Sequence, residues 1–343
     1  MATQKVRSEL HPPDDGRWGW QPRSKGRRVA ALVVAASIAA GGVALALTRG
    51  DSAPGPADQG TANASADAGP TVAPEGDFAI YDIASGEVTP GPELGTSVEW
   101  LSPSPDGTMI TYTSWVEGQP LVHVANVDGS DARAYEGTRA PSGVVAPSWS
   151  PDGSTIVYQT MGREGNRTEH LGDLFLLDVA SGDVRQLADL GGMPAYFWYM
   201  APTFDPSGDA VLYMVSVSPT RPRWALWSIP VTGGKSTLIR RGVGRPISSP
   251  PSTGKIAFVE MRLVDDELTF GDLWMSDPDG SDAERLLRGW VENGGWSPDG
   301  TQIYFVDKRG TAMVLDVATG ETTEPPVANM GGWLDAGTLL IGT

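Results

Sequence analysis

Trp149-Ser150-Pro151-Asp152-Gly153 runs through Ser154 into the apolar stretch Thr155-Ile156-Val157-Tyr158. Pro at the second turn position presets φ, Asp bonds its own backbone, and Gly supplies φ > 0. These residues predict a tight turn between two β-strands. After a spacer come Asp173-Leu-Phe-Leu-Leu-Asp178, a second turn at Ala180-Ser181-Gly182, and Val184-Arg-Gln-Leu187. One unit thus predicts four short strands.

The unit recurs along the chain. Its turn glycines are Gly107, Gly153, Gly208, Gly254, Gly300 and Gly337, spaced 46, 55, 46, 46 and 37 residues apart. The other first turns read Pro105-Asp-Gly107, Phe204-Asp-Pro-Ser-Gly208, Trp296-Ser-Pro-Asp-Gly300 and Trp333-Leu-Asp-Ala-Gly337, with a degraded copy at Pro250-Pro-Ser-Thr-Gly254. The second hairpins turn at Asp128-Gly129, Thr232-Gly-Gly234, Pro278-Asp-Gly280 and Thr319-Gly320. Four strands at a period of about 45 residues mark a propeller blade, so an all-β, six-bladed β-propeller is expected.

Both ends of the repeat region carry half a unit. Trp333 to Gly342 offers only the first two strands of a blade, and Phe78-Ala-Ile-Tyr-Asp82-Ile-Ala-Ser-Gly86-Glu-Val88 offers only a second hairpin. Joined, they complete a sixth blade and leave no long sheet edge open to mispairing. With its W-S-P-D-G cores, the chain resembles the TolB-like, or PD40, family of six-bladed propellers over roughly residues 76–343. The resemblance implies fold rather than activity. That family's α/β domain ahead of the propeller has no counterpart in the residues before 76, so partner docking through it is not expected here.

The expected organisation is a basic cytoplasmic tail at 1–28, a transmembrane helix at 29–48, a disordered linker at 49–76 and the propeller at 77–343. Residues 29–48 are twenty uncharged, mostly apolar positions, the length that crosses about 30 Å of hydrocarbon as a helix. Arg23, Lys25, Arg27 and Arg28 precede the span and only Arg49 closely follows it. That asymmetry puts the N-terminus in the cytoplasm and the propeller outside. Ala44-Leu-Ala46 resembles a cleavage site, but the apolar run exceeds that of a signal peptide, which favours an uncleaved signal-anchor. The Ala, Pro, Gly, Asp and Ser of the linker have no apolar period and read as a tether.

Composition narrows the function classes. The chain has 343 residues, no Cys and a formal net charge of −17, which excludes disulfides, thiolate metal sites and a Cys nucleophile. Residues 1–28 hold seven basic and three acidic groups; setting these and Arg49 aside from the totals of 25 and 42 leaves 17 basic and 39 acidic groups, a net of −22, beyond the span. Such a field repels nucleic-acid phosphates and anionic lipid, so no nucleic-acid partner is expected. An Ala-, Gly- and Asp-rich composition fits a bacterial source.

Propeller geometry sorts the loops. First-to-second and third-to-fourth strand turns lie on one face; second-to-third loops and blade connections lie on the other. The irregular segments 162–172, 191–202, 218–223 and 260–271 all belong to the second class, which makes that face the candidate binding surface. Its richest stretch holds Tyr196, Phe197, Trp198 and Tyr199, with Arg221, Arg223 and Trp224 following. Aromatic residues with Arg compose a recognition patch. The same side chains could instead plug the channel mouth or pack between blades 2 and 3, and both readings stay open. Glu164, His170, Asp265 and Asp266 complete the candidate set on this face.

The repeated Trp149, Phe204, Trp296 and Trp333 each stand four residues before their turn glycine and are expected in the blade core, while Asp106, Asp152 and Asp299 are expected as turn residues. Enzyme signals are poor. His123 lies in an alternating strand as a packed side chain, and no G-x-S-x-G elbow occurs. Gly233-Gly234-Lys235-Ser236 lacks the upstream glycine of a phosphate loop. No catalytic residue, metal ligand or cofactor is assigned; a central cation held by turn carboxylates ranks below their turn role.

Two functions remain. The first is an extracytoplasmic, membrane-anchored binding or scaffold propeller that recognises a protein, peptide or envelope glycan. The alternative is an extracytoplasmic hydrolase, lyase or lactonase using carboxylates such as Glu164, Asp173, Glu260, Asp265 or Asp266, which requires two carboxylates of raised pKa facing one cavity. A sensor that signals to Trp18-Gly-Trp20 inside is disfavoured, because a flexible tether transmits force badly.

Overall fold

Ile156, Val157 and Tyr158 are all buried, which a strand with one wet face would not allow. Ile156 and Tyr158 pack with Val122, Val124 and Tyr135, whereas Val157, between them, packs with Phe204, Val211 and Tyr213. The side chains alternate sides, and each side meets a different sheet. In the computed structural model, which describes residues 78–95, 98–138, 144–164, 167–190, 201–216, 224–247, 250–264, 267–325 and 331–342, the strands form six four-stranded antiparallel sheets.

The sheets follow the repeats. Blade 1 comprises Glu99–Pro103, Met109–Val116, Gln119–Asn126 and Arg133–Ala134. Blade 2 comprises Val144–Trp149, Thr155–Glu164, Arg167–Asp178 and Val184–Ala188; blade 3 comprises Thr203–Phe204, Ala210–Ser216, Trp224–Pro230 and Thr237–Arg241. Blade 4 comprises Val243–Ile247, Ile256–Val264, Glu267–Ser276 and Glu284–Leu287, and blade 5 Glu292–Trp296, Gln302–Val306, Ala312–Asp316 and Thr322–Thr323. Blade 6 joins Gly332–Trp333 and Thr338–Gly342 to Phe78–Asp82 and Val88–Pro90 from the other end of the propeller. The joining ladder runs from Phe78 opposite Gly342 to Asp82 opposite Thr338.

Among the described residues the apolar core divides into six clusters, and each fills one seam between neighbouring blades. The closing seam between blades 6 and 1 holds Phe78, Leu334 and Leu340 against Ile110, Tyr112 and Ala125. The first strand of blade 1 packs against those of blades 2 and 6, and that of blade 5 against those of blades 4 and 6, which sets the first strands nearest the axis. The repeated aromatics are buried in this inner region, as their regular placement requires. Two of them also tie blades together: the Trp149 indole N–H donates to the Ser102 carbonyl at 3.1 Å, and that of Trp333 to the Gly295 carbonyl at 3.0 Å.

The turn chemistry explains why the motif repeats. Buried Ser150 donates to the Asp152 carboxylate at 2.6 Å, and the Ser150 hydroxyl accepts the Thr155 N–H at 2.9 Å. Asp152 also accepts the N–H and hydroxyl of Ser154. Ser104 with Asp106 and Ser297 with Asp299 reproduce the arrangement. In blade 3 the two residue types exchange places: Asp205 is buried at the Ser position, accepting the Ser207 hydroxyl at 2.8 Å and the Ala210 N–H at 3.0 Å. The bonded pair survives inversion because one partner must donate and the other accept, in either order.

Two copies depart from the pattern. Gly337 does not share the positive φ of the other five first-turn glycines; there the Asp335 carboxylate accepts the Gly337 N–H at 2.7 Å, and Leu334 replaces the buried serine. The degraded turn of blade 4 forms a 3₁₀ turn over Pro251–Thr253, in which the Thr253 hydroxyl donates to the Pro250 carbonyl at 3.0 Å. Blade 4 nevertheless forms a four-stranded antiparallel sheet, with a register shift in each of its three ladders. The expected span at 29–48 and the linker lie outside the described residues; among the described residues no helix is long and apolar enough to cross a membrane.

Gly107 and Gly153 have nearly equal φ of +70° and +71°, yet a Cβ on Gly107 would collide with the backbone carbonyl of Leu334 in blade 6 while one on Gly153 meets nothing within 4 Å. Gly153→Ala should cost about 1–2 kcal/mol for the left-handed backbone alone, and Gly107→Ala clearly more; urea denaturation of both variants compares them. A second expectation concerns Asp152, whose hydrogen bonds to Ser150 and Ser154 hold its pKa below the usual 3.8. A depressed acid stabilises the fold above its unfolded pKa and loses that contribution as pH falls through the folded value. Asp152→Asn should therefore cost about 1 kcal/mol at pH 7 for the exposed, charge-assisted bonds it weakens. The gap between variant and parent melting curves should close at pH values below 3.8.

Candidate functional site

Glu117 and Gly118 link the second and third strands of blade 1 with φ of 52° and 76°. Two successive positive φ values mark the two-residue hairpin turn that matches strand twist. This turn lies on the candidate face, together with the equivalent loops of the other blades and the blade connections.

Blades 2 and 4 extend further. Segments 162–172 and 260–271, expected as irregular insertions, are instead largely paired strand. In blade 2 the ladder continues from Gln159 opposite Leu174 past a bulge to Met161 opposite Leu171, Gly162 opposite His170 and Glu164 opposite Arg167. In blade 4 it continues from Val259 opposite Leu273 past a bulge to Met261 opposite Phe270 and Val264 opposite Glu267. The physical reason is that a hairpin satisfies backbone N–H and C=O groups which a loop of this length would leave to water, and Met261-Arg-Leu-Val264 facing Glu267-Leu-Thr-Phe270 supplies β-forming residues.

Each bulge stands opposite a Gly-Asp-Leu step, Gly172-Asp173-Leu174 or Gly271-Asp272-Leu273. A Cβ on Gly172 would collide with the carbonyl and hydroxyl of Thr160, so the bulge requires glycine there. The following aspartates fasten the outer strand. Asp173 accepts the Gln186 side-chain amide at 2.8 Å and the Leu190 N–H at 3.2 Å. Asp272, buried, accepts the Gly289 N–H at 2.9 Å and the Arg285 guanidinium at 3.4 Å. Burial, and then the neighbouring Asp189, raise the Asp173 pKa above the usual 3.8.

Asp173 is thus a carboxylate of raised pKa, and both its oxygens serve the outer strand. No group of three or more His, Cys, Asp or Glu side chains that could hold a metal occurs among the described residues. Asp106, Asp152 and Asp299 spend their carboxylates on their own turns. His123 is partly buried and stacks on Tyr112 with ring centroids 5.0 Å apart, and desolvation lowers its pKa, as a packed imidazole requires.

Of the candidate residues, Glu164 and His170 lie on the extended hairpin of blade 2. Tyr196, Phe197, Trp198, Tyr199, Arg221, Arg223, Asp265 and Asp266 lie outside the described residues, while Trp224, expected beside them in the patch, is instead buried in the seam between blades 2 and 3, where it begins the third strand of blade 3. Two features of this face were not anticipated from sequence. Trp115, one position from the end of its strand in blade 1, is 50% exposed. Its signal was its place two residues before the Glu117-Gly118 turn. Trp100 and Ala146 have φ of 56° and 50° at equivalent bulges in the first strands of blades 1 and 2. Such backbone strain costs about 1–3 kcal/mol per residue, and no turn motif announces it.

No family model matches the chain, and no curated protein matches it. Among solved structures it is similar to a nidogen/laminin complex, at 13% identity over 66% of this chain and 78% of that one, with a TM-score of 0.48. It is similar to a putative TolB from Agrobacterium tumefaciens, at 17% identity over 78% and 97%, with a TM-score of 0.45. It is also similar to an oligogalacturonate lyase in complex with manganese, at 18% identity over 72% and 71%, with a TM-score of 0.48.

Proposed function

We propose that this chain is an extracytoplasmic binding or scaffold propeller, anchored in the cytoplasmic membrane by residues 29–48, that recognises a protein, peptide or cell-envelope glycan on its connector face. The observation that carries the reading is the asymmetry of the two faces. On one face the Asp-Gly turns use their carboxylates internally, leaving short, self-satisfied loops. On the other, the hairpins of blades 2 and 4 reach beyond their bulges on either side of blade 3, and blade 1 presents the exposed Trp115.

A rigid ring that projects ladders and an aromatic side chain from one side suits recognition by a surface. The binding set is Glu164, His170, Tyr196, Phe197, Trp198, Tyr199, Arg221, Arg223, Asp265 and Asp266, joined by Trp115. The acidic chain, at −17, favours partners carrying cationic groups and adds a salt-dependent on-rate. No cofactor is part of the reading.

The test compares the membrane-embedded full chain with a Trp198→Ala/Tyr199→Ala variant for capture of envelope proteins and for retention of purified envelope glycan. If these aromatics anchor the partner, removing them should weaken one of the two by about thirty-fold, the equivalent of about 2 kcal/mol, with the melting temperature of the propeller nearly unchanged. Capture and retention that both survive, or a large drop in melting temperature, would instead place the two side chains in the packing between blades.

A further inference from the structure

Arg240 and Arg285 meet over one indole. Arg240 lies on the outer strand of blade 3, opposite Leu226, and its guanidinium sits 5.3 Å from the Trp274 ring centre and 5.6 Å from that of Phe258, both in blade 4. Arg285, on the outer strand of blade 4, stands opposite Trp274 in the ladder and holds its guanidinium 5.9 Å from the same ring. Leu226 and Phe258, with Trp274 packed against them, belong to the cluster that seals these two blades. The arginines therefore close this seam on the side away from the axis.

An arginine that ties blades together is bonded differently. Arg185, on the outer strand of blade 2, reaches across the neighbouring seam and donates to the Val231 carbonyl of blade 3 at 2.6 Å. Among the described residues Arg240 makes ring contacts and no hydrogen bond or ion pair. Arg285 spends one N–H on buried Asp272 at a long 3.4 Å, and Asp272 also accepts the Gly289 N–H at 2.9 Å. An aromatic face attracts a guanidinium without using its N–H donors. Two cations thus share one ring, and one carboxylate, itself shared with a backbone N–H, does not balance both.

We propose that Arg240 and Arg285, gathered on Trp274 at the outer mouth of the seam between blades 3 and 4, form a binding site for an oxyanion, the carboxylate or phosphate group of an anionic partner. The planar guanidinium fork fits either group bidentately. Local charge supports the assignment: residues 237–241 and 284–288 hold Arg240, Arg241, Arg285 and Arg288 against one acid, Glu284. The chain as a whole, at −17, repels anions at a distance. Salt screens that field beyond about 8 Å, so the adjacent guanidiniums decide the local preference. The site lies on the flank of the ring, apart from the connector face, and takes a partner of opposite charge to the one favoured there.

Arginine modification by phenylglyoxal on the full chain, read residue by residue by mass spectrometry, tests the site, with chloride, inorganic phosphate and glucuronate compared at equal ionic strength. Arg133 serves as internal reference, because among the described residues it is the one guanidinium over the Tyr135 ring, at 4.6 Å. With a Kd of about 1 mM, about 10 mM of a protecting anion should slow modification of Arg240 and Arg285 about ten-fold relative to Arg133. Protection by phosphate alone assigns a phosphate-bearing partner, by glucuronate alone a carboxylate-bearing one, and by both a site that reads the shared oxyanion; each supports the proposal. In Arg240→Lys, which keeps the charge and loses the fork, protection of Arg285 should fall to the level of Arg133. Rates in phosphate and glucuronate that both equal the rate in chloride, or protection of Arg285 that persists in Arg240→Lys, overturn it.

Discussion

Five backbone pairings, Phe78 with Gly342 through Asp82 with Thr338, hold the ring shut. Each blade buries both of its faces, so its stability resides in the seams it shares rather than within the sheet. An open ring would expose the faces of two blades at once: Phe78, Leu334 and Leu340 on one side, and Ile110, Tyr112 and Ala125 on the other. It would also leave the edge of Thr338–Gly342 unpaired, an invitation to mispairing with another chain. With no Cys in the sequence, this seam is held without a covalent link.

Closure also settles which loops can act together. Because the strand order is sequential in blades 1–5 and every sheet is antiparallel, the second-to-third connections of those five blades must emerge on one face. The short polar turns of the opposite face satisfy most of their hydrogen bonds locally. Their Asp and Ser partners are matched within a few residues, which explains why Asp205 and Ser207 can trade places in blade 3 without disturbing the sheet. The inner tryptophans add a longer-range tie, since an indole N–H spans from one blade to a carbonyl of the one before it.

Much of this was legible because the decisive signals are short-range. Ser-Pro-Asp-Gly fixes φ and hydrogen bonding within five residues, and the two half-units at Phe78–Asp82 and Thr338–Gly342 can be completed only by each other. What escaped reading depends on contacts across strands. The ladders of blades 2 and 4 run through segments 162–172 and 260–271, which read as irregular insertions, because pairing register rather than composition decides whether such residues form strand. The strained backbone at Trp100 and Ala146 comes from bulges imposed by the inner strands, for which a sequence carries no mark. The contrast between Asp173, met by the Gln186 amide, and Asp272, met by the Arg285 guanidinium, depends on which residue of the outer strand the bulge brings to each carboxylate. For the candidate site, topology identified the face, while the aromatic stretch at 196–199 lies outside the described residues.

The closure itself is tested most directly by placing cysteines at Ile80 and Leu340, which stand opposite each other in the ladder of a chain that has no other thiol. Directly opposed antiparallel residues have Cα atoms about 4.5–5.5 Å apart, within the span of a disulfide. Mild oxidation of the Ile80→Cys/Leu340→Cys chain should give a monomeric, intramolecular disulfide in nearly every molecule, with the melting temperature raised relative to the reduced form. Free thiols after oxidation, or disulfides that link separate chains, would mean that the ends do not share a blade, and the six-bladed ring with its two distinct faces would not stand.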